Sequence, residues 1–153
     1  MLHELKIDIE NMHLKVVYPH DTASWPDLQI DASKMREVLL IILENAVKYN
    51  VDGGTIEIKN RLVDGADNVA GSSHHIFEMT IENSGMGLVV EDKEKLFSRH
   101  FYRSQRAQKA NPIGMGIGLS VARAVVRAHH GTLEIESDGE GMGARVMIRL
   151  PNF

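Results

Sequence analysis

Apolar residues recur every three or four positions in two stretches of the chain, and this spacing predicts two helices. The first stretch covers residues 31–50, where Asp31 or Ser33 can cap the start and two glycines follow the end. The second covers residues 117–131 and ends at Gly131, a residue type that commonly terminates helices. Each helix has one broad apolar face, so each is expected to pack against another layer of the fold.

Other segments are rich in β-branched residues or alternate between apolar and polar positions, which is typical of strands. They comprise residues 13–19, 27–31, 55–63, 76–83, 132–137 and 144–151. Turn-forming residues separate two of the neighbouring pairs, at 64–75 and at 138–143. Because the strands come in pairs and do not alternate strictly with helices, we expect an α+β fold. The expected architecture is a two-layer α/β sandwich, with helices on one face of a mixed, mostly antiparallel sheet.

The region before the second helix has a different character. Residues 89–101 have the pattern of a short helix, and residues 102–112 are polar, basic and without periodicity. Such a stretch between regular elements predicts a mobile loop that acts as a lid. Its basic character suits closure over an anionic ligand. The basic residues in and beside the lid are Arg99, Arg103, Arg106 and Lys109.

The composition narrows the classes of function. The chain has 153 residues, no cysteine and a formal net charge of -4, so it has no disulfide framework and no general attraction to nucleic acid or anionic lipid. Its longest apolar run, residues 38–43, is far too short to cross a bilayer. We therefore expect a single domain over residues 1–153, with a cytoplasmic location and with any membrane anchor outside the domain.

Glycine occupies every second position at the start of the second predicted helix, in the stretch GMGIGLS at residues 114–120. Bare backbone of this kind lets N–H groups approach a phosphate, and the helix start favours anions. A dinucleotide-binding motif would need a strand just before the glycines, and none is predicted there. A Walker loop would need Lys followed by Ser or Thr after the last glycine, where Leu119 and Ser120 stand.

Two further features can share a pocket with these glycines. A second glycine group closes a predicted strand at residues 82–88. On the first helix, Asn45 and Lys48 lie three positions apart and hence on one face, where an amide oxygen can bind a hard cation and an ammonium can bind a phosphate. Tyr49 adds a flat apolar surface beside them. Each feature alone also fits an ordinary solvated surface, but the combination indicates a phosphate-binding pocket.

With these segments in this order, the chain resembles the ATP-binding catalytic domain of sensor histidine kinases. That family lies within the superfamily that includes gyrase-type, Hsp90-type and MutL-type ATPases, which share the Bergerat fold. The resemblance runs from about Asp27 to Pro151. Its four motifs are the N box at residues 39–50, the first glycine box at 81–88, the F box at 94–103 and the second glycine box at 114–131.

The resemblance implies a role for each matching residue. Asn45 would hold the Mg2+ that bridges the phosphates of ATP, Lys48 would contact a phosphate, and Tyr49 would border the adenine or ribose. The adenine-recognising Asp of the family is replaced by Asn83, whose carbonyl oxygen can still accept a hydrogen bond from the adenine amine, without the charge that strengthens it. The other implied nucleotide-binding residues are Gly85, Gly87, Phe97, Arg103, Gly114, Gly116, Gly118 and Leu119.

The same resemblance helps to distinguish transfer of the ATP phosphoryl group to another protein from hydrolysis of ATP. Self-contained ATPases of the superfamily have a general-base Glu one helical turn before the Mg2+-binding Asn. Here that position is Ile41, which cannot accept a proton, so water attack has no evident base on this helix. Glu44 is next to Asn45 in sequence, but helix geometry is expected to point it elsewhere. Lys48 also matches the histidine kinases, and both features favour phosphoryl transfer.

A histidine kinase also needs a histidine that accepts the phosphoryl group. Residues 2–6, LHELK, are similar to the acceptor motif, but no proline follows and no paired helices fit before the first predicted strand. We interpret this match as chance. The resemblance therefore implies that the dimerisation and phosphoacceptor domain, together with a sensor domain, lies N-terminal to this domain in a longer protein. A response regulator would be the second partner.

The implied function is transfer of the γ-phosphoryl group of ATP to a histidine on that separate domain, in two-component signal transduction with ATP and Mg2+ as cofactors. Asn45 and Lys48 would be the catalytic residues, and the isolated domain is expected to be inactive without its phosphoacceptor domain. Two alternatives stay open. One is a nucleotide-binding regulatory module whose kinase activity has lapsed, and the other is a serine kinase of the anti-sigma-factor type.

Overall fold

The computed structural model describes residues 2–19, 26–64, 75–89, 95–96 and 116–152. The helices in these ranges are α1 (Lys6–Asn11), α2 (Ala32–Lys48) and α3 (Gly118–Ala128). The strands are β1 (Lys15–Val17), β2 (Thr55–Asp64), β3 (His75–Asn83), β4 (Thr132–Glu136) and β5 (Ala144–Asn152). Among the described helices, none combines the length and the apolar character that crossing a bilayer requires.

The described strands form one five-stranded sheet in the order β1-β2-β3-β5-β4. β1 pairs with β2 in parallel, and the other neighbours pair antiparallel. The predicted mixed, mostly antiparallel sheet is therefore confirmed. In the β2–β3 pair, Asp64 lies opposite His75, as expected for two strands joined in sequence. These two residues belong to the strands, and the rest of the predicted turn, residues 65–74, lies outside the described residues.

The core lies between the sheet and the two long helices. α2 buries Val38 and Ile42 completely or nearly so, and α3 buries Ala122 and Val126 against α2 and β4. Alternate residues of the central strands complete the core, because side chains along a strand alternate between its two faces. These are Phe77 and Ile81 of β3 and Val146, Ile148 and Leu150 of β5. The predicted two-layer α/β sandwich is confirmed.

The other face of the sheet is polar. Glu78 of β3 lies between Arg61 of β2 and Arg149 of β5, and its carboxylate accepts hydrogen bonds from them at 2.6 and 2.8 Å. Its side chain is only 4% exposed. Burial by itself would raise the pKa of this carboxyl, but the hydrogen bonds from Arg61 and Arg149 outweigh burial and lower the pKa below its ordinary value.

Two predictions near the N-terminus are wrong. Residues 27–31 form no strand, and instead Leu28 and Ile30 pack against the core while Asp31 caps α2 by accepting a hydrogen bond from the Lys34 N–H at 3.0 Å. The alternation there reflects which side chains touch the core, and not pairing with another strand. Helix α1 was not predicted, because its six residues are fewer than two turns. The first strand is also shorter than predicted.

A histidine joins the two long helices. The Asp31 N–H, at the start of α2, donates to Nε2 of His129 at 3.0 Å, and Nδ1 of the same ring donates to the Val125 carbonyl in α3 at 2.8 Å. Both ring nitrogens therefore have partners, which fixes the tautomer with the proton on Nδ1. The contact holds α2 and α3 together at the end of the helical layer away from Lys48.

Candidate nucleotide-binding site

The last turn of α2 presents the residues expected at the phosphate end of the site. Asn45 is half-buried, and its side-chain amide has no hydrogen-bond partner among the residues that the structure describes. Lys48 is exposed, and its Nζ donates to the Glu44 carboxylate at 2.9 Å. Glu44 lies beside Lys48 because residues four apart on a helix are neighbours.

The glycine turn, residues 84–88, follows β3 and lies against the end of α2. The Met86 N–H donates to the Tyr49 carbonyl at 2.9 Å, which joins the turn directly to the helix end. A Cβ atom at Gly85 would overlap the same carbonyl oxygen, so only glycine permits this approach. The structure thus brings the N-box residues and the first glycine box together, as the sequence predicts.

A second loop, residues 137–143, supports the glycine turn from the opposite side. The N–H groups of Gly141 and Gly143 donate to the carbonyls of Met86 and Gly85 at 2.8 and 3.0 Å. Gly87 has a φ of +66°, and a Cβ atom there would overlap the Gly139 carbonyl oxygen. The glycine turn is therefore held on both sides by backbone hydrogen bonds.

Asn83 ends β3 immediately before the glycine turn and is 8% exposed. In the amide orientation that satisfies both neighbouring backbone groups, its oxygen accepts from the Gly85 N–H at 3.2 Å and its nitrogen donates to the Ala144 carbonyl at 3.0 Å. A primary amide has two acceptor sites and two donor hydrogens. One lone pair and one N–H of Asn83 therefore remain for a ligand.

The start of α3 lies beside the middle of α2. Gly116 has a φ of +70°, and a Cβ atom at Gly118 would lie 3.0 Å from a methyl carbon of Ile41. Ile41 and Leu119 are both partly buried and pack against the core. Within the described part of the chain, no side chain caps the first turn of α3, so its backbone N–H groups can face an anion.

Part of the predicted site falls outside the described residues. This applies to Phe97, Arg103 and Gly114, and to the rest of the predicted helix and lid at residues 90–94 and 97–115. Among the described residues, no group of three His, Cys, Asp or Glu side chains could hold a metal ion.

Sequence reasoning missed polar side chains that hold the glycine turn. Ser84 Oγ accepts from the Thr55 N–H at 2.8 Å and donates to the Asn50 side-chain oxygen at 3.2 Å. Ser137 Oγ accepts from the Leu88 N–H at 3.0 Å. The two partners of this last bond are 49 residues apart, so no local sequence pattern could reveal it.

Comparison with known proteins agrees with this geometry. The family model described as histidine kinase-, DNA gyrase B-, and HSP90-like ATPase matches residues 30–152. The adaptive-response sensory kinase SasA of Synechococcus sp. strain JA-2-3B'a(2-13) is 33% identical over 128 residues, which cover 84% of this chain and 30% of that protein. The chain thus spans less than a third of the length of this curated relative.

Two solved structures share the fold. The catalytic domain of histidine kinase ThkA matches with a TM-score of 0.73 at 21% identity, covering 98% of this chain and 88% of that chain. Full-length ShkA in complex with AMPPNP matches with a TM-score of 0.70 at 18% identity, covering 97% of this chain and 27% of that chain. Together with the ordered motifs and the glycine turn, the family match leads to one conclusion: this chain belongs to the histidine kinase-, DNA gyrase B-, and HSP90-like ATPase family.

Proposed function

We propose that the chain is the ATP-binding catalytic domain of a sensor histidine kinase, which transfers the γ-phosphoryl group of ATP to a histidine on a separate dimerisation domain. The observation that carries this proposal is the bond between the Met86 N–H and the Tyr49 carbonyl. It places the glycine turn, with Asn83 before it, beside the helix end that carries Asn45 and Lys48. The similarity to a sensory kinase and to histidine kinase catalytic domains supports the same function.

Asn83 is suited to read adenine despite replacing the aspartate of the family. The Watson–Crick edge of adenine has a donor at N6 and an acceptor at N1, and the remaining lone pair and N–H of Asn83 complement both. Guanine has the reverse pattern. Rotating the amide to suit guanine would leave the Gly85 N–H and the Ala144 carbonyl without their partners, which is costly at a buried site. We therefore expect adenine to be preferred.

The phosphates would lie between the last turn of α2 and the start of α3. Mg2+ usually keeps several waters and takes one or two protein ligands besides the substrate phosphates. A single amide oxygen, that of Asn45, fits a metal ion that arrives on the nucleotide better than one held permanently by the protein. That ion would neutralise phosphate charge. Lys48 would exchange Glu44 for a phosphate oxygen, and the uncapped N–H groups of α3 would face the anion.

Transfer is favoured over hydrolysis because the position that would need a general base is occupied by Ile41, packed against the core. The phosphoryl group would pass in line to an imidazole nitrogen of the partner domain while its bond to the β-phosphate oxygen breaks and ADP leaves. The chain would contribute nucleotide binding and orientation. The partner domain, N-terminal in a longer cytoplasmic or membrane-anchored protein, would supply the histidine, and a response regulator would receive the phosphoryl group.

Calorimetric titration with ATP, with and without Mg2+, tests this function on the wild type and on Asn45→Ala. We expect Mg2+ to strengthen ATP binding in the wild type, and Asn45→Ala to lose at least the tenfold that disturbing a metal site commonly costs. Binding that ignores both the metal and the substitution would instead indicate the regulatory module. Incubated alone with ATP, the chain should form neither phosphohistidine nor appreciable ADP. Phosphorylation of a serine substrate would favour the serine kinase.

A further inference from the structure

Ser137 follows β4 and lies where the supporting loop meets the glycine turn. Its hydroxyl oxygen is 3.0 Å from the Leu88 N–H nitrogen and 3.3 Å from that of Gly139. It is also 2.6 Å from the Gly143 carbonyl oxygen and 3.1 Å from that of Gly139. The hydroxyl is partly buried, and it contacts both ends of its own loop as well as the end of the glycine turn.

The hydrogen-bonding capacity of this hydroxyl is fully used. A serine hydroxyl has one proton and two lone pairs. The proton goes to the Gly143 carbonyl, the nearer of the two acceptors, and the lone pairs accept from the Leu88 and Gly139 N–H groups. Removing the oxygen would leave the Leu88 N–H without this acceptor and would remove the hydrogen bond that joins the two ends of the loop, Ser137 and Gly143.

Both of these partners belong to the segments that flank the Asn83 amide. Leu88 ends the glycine turn, which begins next to Asn83. Gly143 donates to the Gly85 carbonyl and precedes Ala144, whose carbonyl accepts from the Asn83 amide. Gly143 also packs directly on Asn83, because a Cβ atom at position 143 would overlap the Asn83 carbonyl oxygen. A shift of the loop would therefore move the groups that orient Asn83.

We propose that Ser137 is a positioning residue for the adenine end of the site, a role that rests on the proposed nucleotide-binding function. Ser137 does not touch the nucleotide. It holds residues 137–143 against the glycine turn and so fixes the distance between Gly85 and Ala144, the two residues that lock the Asn83 amide. The α2 end of the site, with Lys48, is attached to the turn through Tyr49 and not through this hydroxyl.

The test compares Ser137→Ala and Ser137→Thr with the wild type. A matched control is Ser33→Ala, which removes an exposed hydroxyl in the first turn of α2. A second control is Ile135→Val, a mild core change in neighbouring β4. Affinities for ATP and ADP are measured by calorimetry well below the unfolding temperature of every variant, and hydrogen exchange is followed at the Leu88 amide.

We expect Ser137→Ala to weaken ATP and ADP binding by the same factor of about ten, with the Mg2+ dependence retained, because the defect lies at the base end. Exchange at Leu88 should accelerate. Ser137→Thr, which keeps the hydroxyl, should restore affinity, and both control variants should bind like the wild type.

Two results would overturn the inference while leaving the proposed function intact. One is wild-type affinity in Ser137→Ala, and the other is a loss no larger than that in Ile135→Val, which would mark Ser137 as merely structural. Failure of the wild type to bind any adenine nucleotide would overturn the proposed function itself, and the role of Ser137 with it.

Discussion

The base end and the phosphate end of the candidate site are built differently. At the base end, Asn83 and Gly85 are buried, and each has a hydrogen bond to the backbone of the neighbouring segment 143–144. At the phosphate end, the side chains of Lys48 and Glu44 are 44% and 39% exposed and bind each other. The base end is thus formed before any ligand arrives, whereas the phosphate end must exchange one partner for another.

This difference explains how such a site can hold a constant base and a changing number of phosphates. A preformed base pocket costs little ordering when the ligand binds. Exposed charged side chains can follow the phosphates, since a surface ion pair contributes little and is readily exchanged. Changes at the base end should therefore affect all adenine nucleotides, and changes at the phosphate end should affect ATP and ADP unequally.

The largest effect is expected from Gly85→Ala. The new Cβ atom would overlap the Tyr49 carbonyl oxygen and force the glycine turn away from α2. We expect nucleotide binding to be lost and the free energy of unfolding to fall by about 3 kcal/mol, as for other overpacked sites. Urea denaturation and ATP titration check this. The control is Gly141→Ala. Alanine would be strained at the φ of +75° found there, but its Cβ atom would meet nothing within 4 Å. Retained ATP binding in Gly85→Ala would contradict a preformed base end.

The next largest effect is expected from Glu78→Gln, which should change the stability of the fold and leave ATP binding unchanged. The Glu78 carboxyl, far from the site on the outer face of the sheet, has a pKa below its ordinary 4.5 in the folded chain. Its stabilising contribution is therefore complete well above pH 4.5 and is lost as the pH falls through the lowered pKa. Glu78→Gln should lower the free energy of unfolding at pH 7 by about 2 kcal/mol, because it removes the buried carboxylate that both Arg61 and Arg149 bind and leaves Arg149 with Glu134 alone.

The pH dependence of unfolding gives the matching measurement for Glu78. The difference between wild type and Glu78→Gln should shrink as the solution is acidified below pH 4.5. ATP affinity of the folded variant at neutral pH should equal that of the wild type. A large loss of affinity would mean that the outer face of the sheet contributes to the site.

The smallest effects are expected at the phosphate end. Lys48→Ala should weaken ATP binding by about tenfold, equivalent to about 1.4 kcal/mol, and ADP binding by less. Glu44→Gln is the counterpart, because it releases Lys48 from its 2.9 Å ion pair, and it should strengthen ATP binding about twofold. Nucleotide titrations measure both. If Lys48→Ala weakened the binding of ATP and of ADP equally, the phosphate end would not differ from the base end in its effect on the two nucleotides.

The parts of the fold that could be predicted from the sequence are those with a strong local period. α2 and α3 have apolar residues at helical spacing over several turns, and β2, β3 and β5 are long enough for pattern and length to agree. Residues 27–31 also alternate, but alternation reports only which side chains are buried. Pairing depends on a neighbouring strand, which no local pattern encodes.

The candidate site likewise contains residues that local sequence could predict and residues that it could not. Asn45 and Lys48 follow from spacing along one helix, and the glycines of the turn mark positions where another backbone approaches closely. Ser137 and the partners of the Asn83 amide depend on how distant segments fold together, so the sequence alone could not reveal them. The resemblance implied a base-reading role for Asn83, and the neighbouring Gly85 N–H and Ala144 carbonyl indicate the orientation of its neutral amide.

Calorimetric titration of the wild-type chain with ATP and with GTP, both with Mg2+, tests the central claim most directly. An Asn83 amide locked by Gly85 and Ala144 predicts one saturable site for ATP and binding of GTP that is at least about tenfold weaker. Absence of ATP binding, or equal affinity for the two nucleotides, would contradict the account.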